Sequence, residues 1–145
     1  MRPALPRGWS GCVRHDRLTP GGALQEAEEP AAAALRELRE ETGLRVDLDR
    51  LGGPVATTAG PFRWNGREHY AEDVFYLVTT PRFEPDTAGF TEDERRVVHT
   101  HRWWSPAELE RTEEVVFPVG LATLIRSIVA DGRPVVPVRL LWGAS

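Results

Sequence analysis

Three glutamates stand close together in the sequence at helical spacing. Glu37, Glu40 and Glu41 occupy positions i, i+3 and i+4, so an α-helix gathers their carboxylates in one sector of its surface. Like charges at this spacing cost roughly a few tenths of a kcal/mol per pair unless a cation lies between them. Carboxylate oxygens on a rigid helix suit Mg²⁺ or Mn²⁺, which commonly takes one or two carboxylates and completes its shell with water and substrate phosphate. The spacing is therefore compatible with a divalent-metal site.

The same glutamates also have a purely structural interpretation. Arg36 and Arg39 place positive charge on this helix, and Arg36 with Glu40 makes an ordinary i,i+4 ion pair. The carboxylates would then form a solvated helix face with no ligand. The helix by itself favours this structural interpretation, and the residues around it reverse that preference.

The residues before and after the glutamates complete a longer pattern. Gly22 is followed by five residues and Glu28, and then by seven residues and the run 36–44, which reads Arg-Glu-Leu-Arg-Glu-Glu-Thr-Gly-Leu. This agrees with the Nudix box at every specified position, a match with a chance on the order of 10⁻⁸ per starting point at this composition. The chain therefore resembles the Nudix hydrolases over Gly22–Leu44. One departure is Ala27, where the family often has glycine.

This resemblance implies a fold and a reaction. The Nudix fold is of the α/β class, α+β in type, with a mixed β-sheet sandwiched between helices. Its members hydrolyse the pyrophosphate linkage of a nucleoside diphosphate joined to another group X, by attack of water on phosphorus. The implied cofactor is Mg²⁺, with Mn²⁺ as a substitute, and the implied partner is a small nucleotide-type molecule.

The resemblance also implies roles for residues of the helix. Glu40 and Glu41 are expected to be the principal metal ligands. Glu37 is expected to be a further ligand, or the residue that holds a ligand or the water in place. Arg36 is expected to orient a glutamate of the box through a bidentate contact.

Residues outside the helix complete the implied site. Gly21 and Gly22 would let the backbone turn tightly, the Gly22 carbonyl is expected as an extra metal ligand, and Glu28 is expected to support the loop. The general base stays open between Glu37 and a downstream loop that carries Glu92 and Glu94, of which Glu94 is preferred. The alternative for Glu94 is a solvated surface glutamate.

Local signals predict the elements that must position these residues. Pro30 suits the first position of a helix and Gly43 the left-handed position that ends one, so a helix is predicted over Pro30–Thr42. On its helical wheel, Leu38 centres the apolar stripe that should face the core. Asn65-Gly66 predicts the turn of a β-hairpin, followed by a buried-looking strand over Val74–Val78.

The second half of the chain predicts another strand and two helices. A strand over Val97–Trp104 should lead into a capping box at Ser105–Glu108, and apolar spacing predicts a helix over Phe117–Ala130. Asp131-Gly132 should end that helix before a proline-broken tail over 133–145. All of these elements are expected to form a single domain over 1–145.

The first twenty residues hold less strand than a Nudix fold normally places before its box. Only Trp9–Leu18 could form a strand there, and its pattern is poor. Three explanations stay open: a misplaced start codon, a homodimer whose partner chain completes the sheet, or a catalytically weak protein that binds nucleotides or another protein.

Composition excludes several classes of protein. The chain has 145 residues and one cysteine, Cys12, so no intramolecular disulfide can form and a cytoplasmic location is expected. A formal net charge of −4 argues against general nucleic-acid binding. No apolar run approaches the roughly 20 residues that span a bilayer, so no membrane association is expected.

Overall fold

The chain alternates short strands with helices. A computed structural model describes residues 17–19, 24–86, 88–89 and 101–143. Its elements in chain order are β1 (Arg17–Leu18), α1 (Pro30–Thr42), α2 (Leu48–Leu51), β2 (Ala56–Trp64), β3 (Arg67–Phe75), α3 (Pro106–Arg111), β4 (Val116–Phe117), α4 (Leu121–Asp131) and β5 (Val138–Arg139). The predicted mixture of helices and sheet is confirmed. Among the described residues, no helix combines the length and the apolarity needed to cross a membrane.

The larger sheet is mixed, as predicted, and has the strand order β3-β2-β5. β2 and β3 form the predicted hairpin, antiparallel from Ala56↔Phe75 to Trp64↔Arg67. Asn65 at φ 49° and Gly66 at φ 73° make the turn, because a two-residue hairpin connection needs a positive φ at both positions. A smaller sheet pairs β1 with β4 in parallel. β1 is the end of the predicted strand Trp9–Leu18, whose other residues lie outside the described ranges.

The tail after position 132 corrects the sequence prediction, since it contains a strand. β5 pairs in parallel with the start of β2, and Val138 N donates to Val55 O at 2.9 Å and Leu140 N to Thr57 O at 2.8 Å. The Thr58 hydroxyl donates to the carbonyls of the residues at 140 and 141, at 3.2 and 3.1 Å. A strand of two residues is too short to show an alternating pattern, so only pairing with β2 defines it.

Trp142 fixes this tail on the hairpin. Its indole Nε1 donates to Pro61 O at 2.9 Å. A Cβ placed on Gly60 would overlap the Trp142 indole ring. We expect Gly60→Ala to lower the free energy of unfolding by about 1–3 kcal/mol, because the indole or the strand must move. Denaturant midpoints measure this.

Gly53→Ala is the matched control for Gly60→Ala. A Cβ at Gly53 would meet nothing within 4 Å, so its midpoint should stay within about 0.5 kcal/mol of the parent value. Equal midpoints for the two variants would show that Trp142 does not lie against β2.

Helix α1 begins and ends where the sequence predicts. Pro30 occupies the first turn, and Gly43 at φ 77° donates its N–H to Arg39 O at 2.8 Å. The predicted capping box of α3 is also present, because Ser105 Oγ accepts from Glu108 N at 3.2 Å and Glu108 Oε2 accepts from Ser105 N at 2.7 Å. Both ends rest on local chemistry that the sequence carries.

Two later boundaries differ from the prediction. α4 begins at Leu121 rather than at Phe117, because Phe117 pairs with β1 and Gly120, at φ 82°, precedes the helix. Its predicted end at Asp131-Gly132 is confirmed. Residues 101–104, the described part of the predicted strand Val97–Trp104, are not a strand. Side chains hold this stretch instead, with the Arg102 guanidinium 3.9 Å from the Trp104 ring centroid.

The core also corrects the predicted wheel of α1. The apolar residues with the lowest exposure are Ala33, Leu51, Val55, Ala56, Ala71 and Leu124. On α1 the buried residues are Ala33, Glu37 and Thr42, whereas Leu38 is only half-buried. Glu37 is 7% exposed because Arg36 compensates its charge at short range. The wheel placed the charged sector too far from the core, since hydropathy alone does not register an ion pair.

Candidate functional site

The guanidinium of Arg36, in the middle of α1, contacts three carboxylates. Its Nε and Nη2 donate to the two oxygens of Glu28 at 2.9 and 3.1 Å, which is a bidentate contact. Its Nη1 donates to Glu37 Oε1 at 2.7 Å and to Glu40 Oε2 at 3.3 Å. The bidentate contact predicted for Arg36 is therefore present, and its partner is Glu28.

These four side chains, which we call the Arg36 cluster, differ in exposure. The side chains of Glu37 and Glu28 are 9% and 12% exposed, that of Arg36 is 20% and that of Glu40 is 33%. Charged hydrogen bonds gain strength when water is largely excluded. The cluster thus has a shielded side at Glu37 and a more open side at Glu40.

Arg36 and Glu28 each favour the charged form of the other. The hydrogen bond from Arg36 is the largest cause that lowers the pKa of Glu28 below its ordinary value, assisted by the backbone N–H of Gln25. The Glu28 hydrogen bond in turn raises the pKa of Arg36, and Glu37 adds to this effect. Each charge stabilises the charged form of its partner.

The loop before α1 is closed by the same glutamate. Glu28 Oε2 accepts from Gln25 N at 3.2 Å, and Glu28 N donates to Gln25 O at 3.1 Å. Glu28 thus connects this turn to Arg36 on the helix, a contact that would hold the loop against α1. The predicted role of Glu28 in supporting the loop for catalysis stays a prediction.

Acid should remove the contribution of this glutamate to stability. Because the folded-state pKa of Glu28 lies below its unfolded value, its stabilisation is present above the unfolded pKa and is lost as pH falls through the folded pKa. We expect the difference in melting temperature between the parent protein and Glu28→Gln to be largest near pH 7 and to shrink in acid. Glu72→Gln, at an exposed position of β3, is the control. A difference that stays constant from neutral pH to acid contradicts the assignment.

Ala27 lies in the same loop with a left-handed backbone at φ 58°. This conformation costs a residue with a side chain about 1–2 kcal/mol. Glycine avoids this cost but loses about 0.5–1 kcal/mol of stability, because its backbone gives up more conformational entropy on folding. We expect Ala27→Gly to stabilise the fold by roughly 0.5–1 kcal/mol, measured as a higher melting temperature. Ala32→Gly, at an exposed position inside α1, should destabilise it by about 1 kcal/mol. A loss of stability in both variants would exclude strain at Ala27.

The predicted metal ligands are only partly brought together in the described residues. Glu37, Glu40 and Glu41 share α1, and Glu41 is half-buried. Gly21 and Gly22 lie outside the described residues, as do the predicted bases Glu92 and Glu94. Within the described ranges, no group of three or more His, Cys, Asp or Glu side chains is arranged to hold a metal ion. The donor chemistry fits Mg²⁺, because carboxylate oxygens are its preferred protein ligands. The carboxylates of Glu37 and Glu40 contact the Arg36 guanidinium here.

A contact that sequence reasoning missed lies at the C-terminal end of α1. Asp86 N donates to Thr42 O at 2.8 Å, and a Cβ on Gly89 would lie 2.7 Å from Glu40 O. Asp86 and Gly89 therefore lie directly against the last turn of the helix. The glycine at 89 is the one sequence signal for this approach, since any side chain there would have to displace backbone.

The family comparison reaches well beyond the box. A family model described as the NUDIX domain matches residues 2–121. The chain belongs to the Nudix family. The resemblance seen in Gly22–Leu44 is therefore confirmed, and the Nudix match extends to the first residue of α4.

Individual relatives match a shorter part of this Nudix chain. Mouse diphosphoinositol polyphosphate phosphohydrolases 3-alpha and 3-beta are each 36% identical to it over 67 residues, and human 3-beta is 34% identical over the same length. Each match covers 46% of this chain and 37% of the relative, so the chain covers well under two thirds of these proteins. No solved structure gives a significant match.

Proposed function

We propose that this protein hydrolyses a pyrophosphate linkage in a nucleoside diphosphate joined to a group X, in a reaction that depends on Mg²⁺ or Mn²⁺. The observation that carries the proposal is the Arg36 cluster, in which one arginine of α1 contacts three carboxylates of a complete Nudix box. Family membership supports the reaction class.

The residues proposed to hold the metal are Glu40 and Glu41, with Glu37 and the Gly22 carbonyl as further ligands. A bound divalent cation would neutralise the pyrophosphate and lower the pKa of the attacking water. Glu40 suits this role because its side chain is the most exposed of the cluster, at 33%, and its contact with Arg36 is the longest, at 3.3 Å. Glu37 suits a positioning role because Arg36 holds it at 2.7 Å.

The proposed bond changes are a substitution at phosphorus. The oxygen of water forms a bond to one phosphorus while the bond from that phosphorus to the bridging oxygen breaks. The proton of the water passes to a general base, and the bridging oxygen leaves with the other phosphate. Two bases remain proposed, Glu37 and Glu94. The one whose glutamine variant removes the acidic limb of the pH–rate profile is the base.

The relatives suggest a second substrate class. Their name refers to diphosphoinositol polyphosphates, which also carry a pyrophosphate group but on a polyphosphorylated ring rather than on a nucleoside. The chemistry at phosphorus would be the same, and only the contacts with the rest of the substrate would differ. Both classes therefore belong in one assay.

A catalytically weak binding domain is the alternative function. It is favoured by the contacts of Arg36 with the carboxylates of the box, and by the lack, among the described residues, of a metal-binding group of three. Such a protein would bind nucleotides or a protein partner without turnover.

A homodimer in which the partner chain completes the sheet is a further proposal. Light scattering on the 145-residue chain would show whether its mass is that of a monomer or of a dimer.

The test is a substrate panel assayed with Mg²⁺ in ¹⁸O-labelled water. The panel contains nucleoside triphosphates, nucleotide sugars, ADP-ribose, dinucleoside polyphosphates and a diphosphoinositol polyphosphate. We expect at least one member to be cleaved, with the label in one phosphate product, which identifies the phosphorus that is attacked. Tight binding of a panel member without turnover would support the alternative function instead.

A further inference from the structure

A pocket lies where Asp86 and Gly89 approach the last turn of α1. Its volume is about 350 Å³, and the described residues that line it are Arg39, Glu40, Gly43, Arg45, Asp86 and Gly89. A Cβ on Gly43 would come within 2.8 Å of the Asp86 Cβ, and one on Gly89 within 2.7 Å of Glu40 O. Two close backbone approaches thus shape the wall, so the pocket is built by the fold and not by the chance placement of surface side chains.

The charges in the lining are compensated unequally. Glu40 accepts from Arg36 at 3.3 Å, and Asp86 Oδ1 accepts from Ala88 N at 3.0 Å. Arg39 and Arg45 are both exposed, and no hydrogen bond or ion pair of either guanidinium is present among the described residues. The acidic groups of the pocket therefore have donors, whereas its two arginines have no hydrogen-bond acceptor among the described residues.

We propose that Arg39 and Arg45 form a subsite for a phosphate group of the substrate next to the carboxylates of α1. Planar guanidinium groups bind phosphate oxygens through paired charged hydrogen bonds. Glu40 lines the pocket and also belongs to the Arg36 cluster, so the proposed subsite adjoins the residue that the proposed function places at the metal.

This subsite rests on the proposed function and narrows its substrate class. The substrate would be cleaved at the carboxylates of α1 while another of its phosphate groups occupies the pocket. It must therefore carry a phosphate in addition to the pyrophosphate that is cleaved, as a triphosphate or a polyphosphorylated group X does. We expect such substrates to have a lower KM than substrates whose X is uncharged, with kcat less affected.

The binding test uses inorganic tripolyphosphate in the presence of EDTA, so that neither a metal nor turnover is involved. Calorimetric titration should show that Arg39→Ala and Arg45→Ala each weaken binding by about tenfold, as expected for the loss of a charged hydrogen bond. Arg67→Ala, at an exposed position of the hairpin, should leave the affinity unchanged. All three side chains are exposed, so thermal melts should show intact folds.

Each outcome decides the subsite separately from the proposed function. Equal affinity in all variants, an equal loss in Arg67→Ala, or no binding to the parent protein would each overturn the subsite, even if the enzyme hydrolyses a substrate of the panel. Binding that depends on Arg39 and Arg45 but not on Arg67 supports the subsite, even if no substrate is cleaved, and the proposed function alone would then fail.

Discussion

Glu41→Gln should lower kcat by at least about 10²-fold on whichever anhydride the protein cleaves, because it removes a charge that we propose to hold the metal and preserves the side-chain volume. Glu41 lies on α1 one turn after Glu37 and is half-buried. The amide can still fill the same space, so the melting temperature should change little. Steady-state rates at saturating Mg²⁺ measure the effect.

The control for this variant is Glu72→Gln, which makes the same change at an exposed position of β3. It should keep the parent kcat. Full activity of Glu41→Gln at saturating Mg²⁺ would remove Glu41 from the metal site. A large loss in both variants would instead indicate a general effect of net charge on the assay.

Arg36→Ala should destabilise the fold by about 3 kcal/mol, because it leaves the buried carboxylate of Glu37 without its ion-pair partner. Glu37 is 7% exposed and accepts from Arg36 at 2.7 Å. The bidentate contact that connects the Glu28 loop to α1 is lost as well. Urea midpoints at neutral pH report the change.

Two substitutions show whether the stability of the fold depends on the bidentate contact of the Arg36 guanidinium or only on its positive charge. Arg36→Lys keeps the charge but cannot make the bidentate contact, so its midpoint should lie between those of the parent and of Arg36→Ala. Arg39→Ala removes an exposed arginine of the same helix and should shift stability by less than about 0.5 kcal/mol. Equal midpoints for the alanine variants at 36 and 39 would mean that the cluster contributes nothing to the fold.

Features with a local cause are those that the sequence predicted best. Pro30 and Gly43 mark the beginning and the end of α1, Asn65-Gly66 makes the hairpin turn, and Ser105 with Glu108 caps α3. Each depends on residues within a few positions of one another, so no knowledge of the rest of the chain is needed. The contact of Arg36 with a glutamate of the box was predicted from the family pattern in the same way.

Features that depend on distant pairing were missed. β5 exists because Val138 N reaches Val55 O, and β4 takes Phe117 from the predicted helix by pairing with β1. Neither two-residue strand has a pattern of its own. The burial of Glu37 was missed for a different reason, because a neighbouring arginine compensates its charge, and Leu38 at the centre of the predicted apolar stripe is only half-buried. The contact of Asp86 and Gly89 with α1 likewise has no sequence signal except a glycine.

The measurement closest to the central claim is a titration with Mn²⁺ followed by electron paramagnetic resonance, since it needs no knowledge of X. We expect the parent protein and Glu72→Gln to bind Mn²⁺ with equal affinity, and Mg²⁺ to displace the bound Mn²⁺. Glu40→Gln and Glu41→Gln should each weaken Mn²⁺ binding by at least about tenfold, because each variant loses one charged ligand. Mn²⁺ binding of the same strength in all four proteins, or none in the parent, would contradict the claim that the glutamates of α1 hold the metal.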